Sequence, residues 1–139
     1  MATRQDYGQP QTGGQGFART NKTFGRRVNL LAADLVTANV VSAFKVPAGF
    51  VVTGIIAVSS DVDTNGTPTV ALSVGDAGSS VRYLSSSAIG QAGTSTQTLA
   101  STGLLFVNTA ETEILVTVTT GSATAAAGTL DLYLNGFML

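Results

Sequence analysis

Leu130-Asp131-Leu132-Tyr133-Leu134-Asn135 decides the fold. Apolar and polar side chains alternate strictly, so an extended chain turns three leucines to one face and three polar or amphipathic groups to the other. The same period recurs upstream. Val70, Leu72 and Val74 alternate with Thr69, Ala71 and Ser73, and Ile114, Val116 and Val118 alternate with Glu113, Leu115, Thr117 and Thr119. Each run reads as a half-buried β-strand. Phe50 to Val58 is apolar on both parities, with Phe50, Val52, Ile56 and Val58 on one side and Val51, Ile55 and Ala57 on the other. A strand of that kind is expected to be covered on both faces. Val40–Val46, Val81–Leu84 and Leu104–Val107 are further strand candidates.

Reversals separate these runs. Pro47-Ala48-Gly49, Asn65-Gly66, Gly75-Asp76-Ala77-Gly78 and the stretch from Gly121 to Gly128 carry residues suited to turns, through positive φ or a preset φ. Seven or eight short strands so spaced predict an all-β fold, an antiparallel β-sandwich of jelly-roll type. Leu30 to Val41 is ambiguous, because Leu31, Leu35 and Ala38 have helical spacing while the β-branched residues around them favour strand. Ser85 to Gly103 carries no charge, is rich in Ser, Thr, Gly, Ala and Gln, and reads as a long surface loop or loose hairpin. The apolar end, Phe137-Met138-Leu139, is expected to dock as a continuation of the last strand.

The chain changes character at Val28. Residues 1–27 hold no Val, Leu or Ile, and are rich in Gly and Gln. Such a segment buries too little apolar surface to offset the entropy of ordering it, so it is expected to form a flexible arm before a body spanning 28–139. The arm carries Arg4, Arg19, Lys22, Arg26 and Arg27 against Asp6, a net of +4. The body carries Lys45 and Arg82 against Asp34, Asp61, Asp63, Asp76, Glu111, Glu113 and Asp131, a net of −5. Charged residues make up 11% of the chain, under half of the roughly 25% of an ordinary soluble domain. A surface this poor in charge predicts a homo-oligomer, in which neighbouring subunits cover part of each body.

Composition also narrows the chemistry. The chain has no cysteine and no histidine, so it lacks a disulfide framework, a thiol nucleophile, the usual neutral-pH acid–base group and the commonest transition-metal ligand. There is no P-loop and no GxGxxG run, and no cofactor is implied. Glu111 and Glu113 would share one face of a strand, an arrangement open to glycoside hydrolysis but more simply a solvated edge. Asp61-Val62-Asp63-Thr64-Asn65-Gly66 matches the first half of a calcium loop, with Asp61, Asp63 and Asn65 as candidate ligands. Leu72 stands where that loop would need its bidentate glutamate, and a polar turn headed by Asn-Gly is the alternative. No enzymatic constellation emerges. The first residues contain no apolar core of a secretory signal, and the longest apolar stretch is too short for a membrane-crossing helix. These features predict a soluble protein, made without secretion through a cleaved signal and without contact with a membrane.

The arm is the candidate partner-binding site. Tyr7, Phe17 and Phe24 could anchor it, and Arg4, Arg19, Lys22, Arg26 and Arg27 could meet an anionic surface. Cations interleaved with aromatics also suit nucleic acid, but four closely placed charges are too few for tight, specific binding by themselves. A clasp on an acidic neighbouring protein accounts for the charges and for the glycines.

The Gly/Gln-rich basic head, Phe44-Lys45-Val46-Pro47-Ala48-Gly49-Phe50, Leu72-Ser73-Val74-Gly75-Asp76 and Gly128-Thr129-Leu130-Asp131-Leu132-Tyr133-Leu134 together resemble small structural proteins of tailed bacteriophages, of the kind that cement or decorate a capsid. The resemblance implies a virion protein on the capsid surface, made in the host cytoplasm and commonly trimeric. It also implies that the arm reaches to the major capsid protein or another virion protein, and it brings no catalytic residues. A fibre, neck or tail accessory protein and a carbohydrate-binding adhesive module are the other readings; the second would want exposed aromatics, and the chain has no Trp.

Overall fold

The computed structural model describes residues 21–139. Eight strands form two four-stranded sheets: β1 (Asn21–Leu30), β2 (Val40–Val46), β3 (Phe50–Ser59), β4 (Ala71–Gly75), β5 (Leu84–Ser87), β6 (Ser95–Thr96), β7 (Thr112–Thr120) and β8 (Gly128–Met138). The strand orders are β1-β8-β3-β6 and β2-β7-β4-β5, with every pair antiparallel. Apart from the β4–β5 hairpin, each connection carries the chain from one sheet to the other. That interleaving is the double Greek key of a jelly roll, and the expected all-β sandwich is the fold observed.

The quoted leucines explain the packing. Leu130, Leu132 and Leu134 of β8 are fully buried, opposite Ile114, Val116 and Val118 of β7 in the other sheet. Burial of each such side chain contributes roughly 2 kcal/mol, and alternation alone sends all of them to the same interior. Phe50, Val52, Ile55, Leu72, Val74 and Tyr83 complete the centre of the core.

Several sequence expectations shift by a few residues. In β3 a register shift between Val52 and Gly54 reverses the alternation. Phe50 and Val52 point inward before it and Ile55 and Ala57 after it, leaving Val58 exposed. Ile56 and Val58 therefore do not share a face with Phe50, because a bulge adds one residue and a strict period-2 reading cannot see it. Leu30 to Val41 contains a single 3-10 turn at Ala32–Asp34, closed by the Asp34 carboxylate accepting from Leu31 N at 2.8 Å. Val81–Leu84 is displaced to Leu84–Ser87, and Leu104–Val107 is a turn hydrogen-bonded to β3 at Val52 and bridged to it from Val107 to Val51. The stretch 85–103 holds two short strands. Of the four predicted turns, only that at Gly49 uses positive φ (+90°). The turn at 75–79 is held by a side chain instead: Asp76 Oδ1 accepts from Gly78 N and Ser79 N at 2.9 and 3.0 Å. The C-terminus is pinned, with Leu139 N donating to Gly49 O at 2.9 Å.

The division at residue 28 falls inside a strand. Residues 21–27 belong to β1 and pair with β8 from Asn21↔Phe137 to Arg27↔Asp131. Backbone pairing asks for no Val, Leu or Ile, so composition alone does not register that residues 21–27 pair with β8. The rest of the expected arm lies outside the described residues.

Candidate assembly interface

Four of the eight arm residues singled out in the sequence, Arg4, Tyr7, Phe17 and Arg19, lie outside the described residues. The other four stand on β1, and the structure separates their roles. Phe24 packs edge-on against Phe50, ring centroids 4.9 Å apart at 82°, and so anchors β1 to the body's own core. Arg27 donates to both carboxylate oxygens of Asp131 on β8, at 2.7 and 3.1 Å. The hydrogen bond and charge of Asp131 raise the Arg27 pKa, and Arg27 in turn holds the Asp131 carboxyl below its usual range.

Lys22 and Arg26 remain exposed, without an ion pair among the described residues. By alternation they share the core-facing side of β1 with Phe24, Val28 and Leu30. They stand at the outer edge of the sandwich, β1 being the terminal strand of its sheet. Inward-pointing charge on an edge strand discourages another strand from adding there. The same two cations leave a positive margin at the end where residues 1–20 join the body.

Two groups of exposed apolar side chains stand close together in sequence. Leu31, Val36 and Val40 flank the 3-10 turn, and Leu104, Leu105 and Val107 mark the turn beside β3. Leu105 is held at φ +59°, where a bulky residue is uncommon, while its N–H donates to Val52 O at 2.7 Å. Exposed leucines on a hydrogen-bonded turn are the sort of feature that a partner covers.

The calcium-like hexapeptide is occupied by the chain's own amides. Asp63 is buried, and its carboxylate accepts from Thr69 N, Val70 N, Ala123 N and Thr124 N at 2.8 to 3.2 Å. Burial pushes the Asp63 carboxyl up, but these four backbone donors together outweigh it and hold the pKa far below the usual carboxylate range. Asp61 accepts from Asp63 N, while Asn65 accepts from Thr67 N and donates to Thr124 Oγ1. The alternating oxygens thus staple the β3–β4 connection to the β7–β8 connection. Among the described residues, no group of three His, Cys, Asp or Glu side chains is placed to hold a metal. Glu111 precedes β7 and pairs loosely with Lys45 at 3.7 Å, whereas Glu113 lies within it and accepts from Ser42 Oγ. They do not share a strand face as their spacing suggested. No described helix is long and apolar enough to cross a membrane.

A jelly roll with a cationic margin, exposed leucines and a sparsely charged surface defines a structural module built to meet other proteins. No protein-family model and no curated protein matches the sequence. Among solved structures, a chain of the cyanophage Pam1 capsid asymmetric unit superposes with a TM-score of 0.81 at 35% identity, covering 99% of this chain and 99% of that one. A chain of the capsid of Ralstonia phage GP4 shares the fold, with a TM-score of 0.74 at 24% identity over 94% of this chain and 88% of its own. This chain belongs to the family of the Pam1 capsid chain, a family of phage capsid-associated structural proteins. Its place is in the virion, in association with other capsid proteins.

Proposed function

We propose that this protein cements or decorates the outside of a phage capsid, as a non-enzymatic homo-oligomer, in trimeric form, assembled in the host cytoplasm. Residues 1–20 act as a clasp that reaches the major capsid protein or a neighbouring virion protein. Arg4, Arg19, Lys22 and Arg26 supply charge, and Tyr7 and Phe17 supply anchors. The body supplies contacts between subunits through its charge-poor surface.

The observation that carries this reading is the correspondence with a capsid chain over 99% of this chain and 99% of that one. The uneven charge supports it: cations gather at the N-terminal end while the body is acidic. Cement function is tested with capsids prepared without this protein. Added full-length chain is expected to bind and to raise the temperature at which the capsids release DNA, and a variant lacking residues 1–20 is expected to do neither. Full recovery with the truncated variant would refute the clasp. Failure of the full-length chain to bind would refute the cement role.

A further inference from the structure

Asn-Gly occurs twice in the chain, at Asn65-Gly66 and at Asn135-Gly136, and the fold treats the two pairs differently. An asparagine before a glycine carries an electrophile and a nucleophile side by side. The electrophile is its own carboxamide carbon, and the nucleophile is the next backbone nitrogen, which a glycine leaves unshielded.

At 135–136 the backbone is locked. Gly136 lies in a central strand, paired with Lys22 of β1 on one side and Val52 of β3 on the other, and Asn135 Oδ1 accepts from Thr23 Oγ1 at 2.9 Å. A strand held extended from both sides cannot bend into the five-membered ring that joining those two atoms requires.

At 65–66 nothing comparable holds the glycine. Both residues are exposed, a Cβ built on Gly66 would meet nothing within 4 Å, and Gly66 N makes no hydrogen bond among the described residues. The asparagine side chain, by contrast, is fixed. Its Oδ1 accepts from Thr67 N at 2.8 Å, closing a turn that folds the carboxamide back towards Gly66. Its Nδ2 donates to Thr124 Oγ1 at 2.9 Å. A backbone donor on the carbonyl oxygen makes the carbon more electrophilic and supports the negative charge that grows on that oxygen under attack. A hydroxyl beside the nitrogen is placed to hand over a proton as that nitrogen leaves.

We propose that Asn65 is a site of self-modification. Gly66 N gives its proton to solvent and bonds to Asn65 Cγ, the Cγ–Nδ2 bond breaks, and the nitrogen departs as ammonia, leaving a cyclic imide. Water, the co-reactant, then opens the ring at either carbonyl to give aspartate or isoaspartate. Either product adds a negative charge beside Asp61 and Asp63 and removes the donor that ties the β3–β4 connection to Thr124. Isoaspartate also lengthens the main chain by one atom. Conversion therefore loosens the staple around Asp63, by chemistry that depends on this chain alone and not on the capsid role.

The test keeps full-length protein folded at mildly alkaline pH and follows both pairs over time by peptide mapping in a mass spectrometer. Position 65 is expected to convert at least about tenfold faster than position 135, and in urea, where neither pair is held, the two are expected to react at similar rates. Gly66→Ala has room in the fold, and its methyl group is expected to slow conversion at 65 at least about tenfold by shielding the nitrogen. Thr124→Val is expected to slow conversion about threefold in the folded protein and to leave the rate in urea unchanged. Equal rates at 65 and 135 in the folded protein would overturn the proposal, as would an Asn65 that stays intact while the unfolded chain converts. An unchanged folded rate in Thr124→Val would overturn the part given to the hydroxyl.

Discussion

Arg82 folds back onto Asp76 through two hydrogen bonds, Nε to Oδ2 at 2.8 Å and Nη2 to Oδ1 at 3.2 Å, while its guanidinium lies 3.8 Å from the centre of the Phe106 ring. Both partners are largely buried, with 18% of the Arg82 side chain and 6% of the Asp76 side chain exposed. Asp76 also takes the amides of Gly78 and Ser79, so one carboxylate organises the β4–β5 turn and positions the arginine that backs the 104–108 turn.

Breaking this pair leaves an uncompensated charge in a partly dry site. Arg82→Ala is expected to cost about 3 kcal/mol in urea unfolding, with Arg82→Lys recovering only part because an ammonium cannot make the planar double bond. In a double-mutant cycle with Asp76→Ala, additivity within about 0.5 kcal/mol would show that the two side chains do not act together.

Asp63 has a different role, since its partners are backbone amides rather than a cation. Asp63→Ala leaves amides without their acceptor, those of Thr69, Val70, Ala123 and Thr124 among them, and the melting temperature is expected to fall by roughly 5–10 °C. Because those amides already occupy the carboxylate, millimolar calcium is expected to leave the melting temperature of the native protein unchanged. A calcium-dependent rise, abolished by Asp63→Ala, would restore the metal reading of Asp61, Asp63 and Asn65.

Acid should destabilise the protein in a defined window. Asp63, Asp76 and Asp131 all have folded-state pKa values below their ordinary ones. For Asp63 and Asp76, burial opposes the ionised form but hydrogen bonds overcome it, and for Asp131 the bond from Arg27 leads. Groups depressed in this way stabilise the fold fully above the unfolded pKa of about 4, and that stability is lost as pH falls through the folded values. Chemical denaturation midpoints are therefore expected to be flat from pH 7 to about 5 and to drop below about 4. A midpoint that held steady down to pH 2 would contradict the assigned bonds.

Gly25 tests where the body begins. It sits opposite Tyr133, and a Cβ built on it would lie 2.2 Å from Leu132 O and 2.5 Å from the Tyr133 ring. Gly25→Val is expected to push β1 off β8 at a cost of about 1–3 kcal/mol, seen as faster amide exchange through residues 21–30 and trypsin cleavage after Arg26 and Arg27.

Truncation should give the same boundary independently. Removing residues 1–20 is expected to leave the jelly roll folded, whereas removing residues 1–27 strips Phe24 from Phe50 and exposes the β8 edge. The shorter variant is expected to melt at least about 5 °C lower. Equal stability of the two would return the start of the body to residue 28.

Local patterning was enough for the fold class. A period of two in the runs at 70–74, 114–118 and 130–134, broken by turn residues, admits few folds, because each strand has one apolar face to bury and the sheets must meet through those faces. Absence of histidine and cysteine similarly constrained the chemistry by composition alone. Tertiary structure decided whatever depended on partners distant in sequence. Composition read Gly25, Arg26 and Arg27 as a loose arm, yet β8, more than a hundred residues later, supplies their backbone bonds and the Asp131 carboxylate. The oxygens of Asp61, Asp63 and Asn65 had the spacing of ligands, but the amides that occupy Asp63 come partly from residues 123 and 124 on another connection. Alternation is a property of one strand and can be read along it. Register, bulges and the satisfaction of a buried carboxylate are properties of two segments brought together, and only the folded chain brings them together.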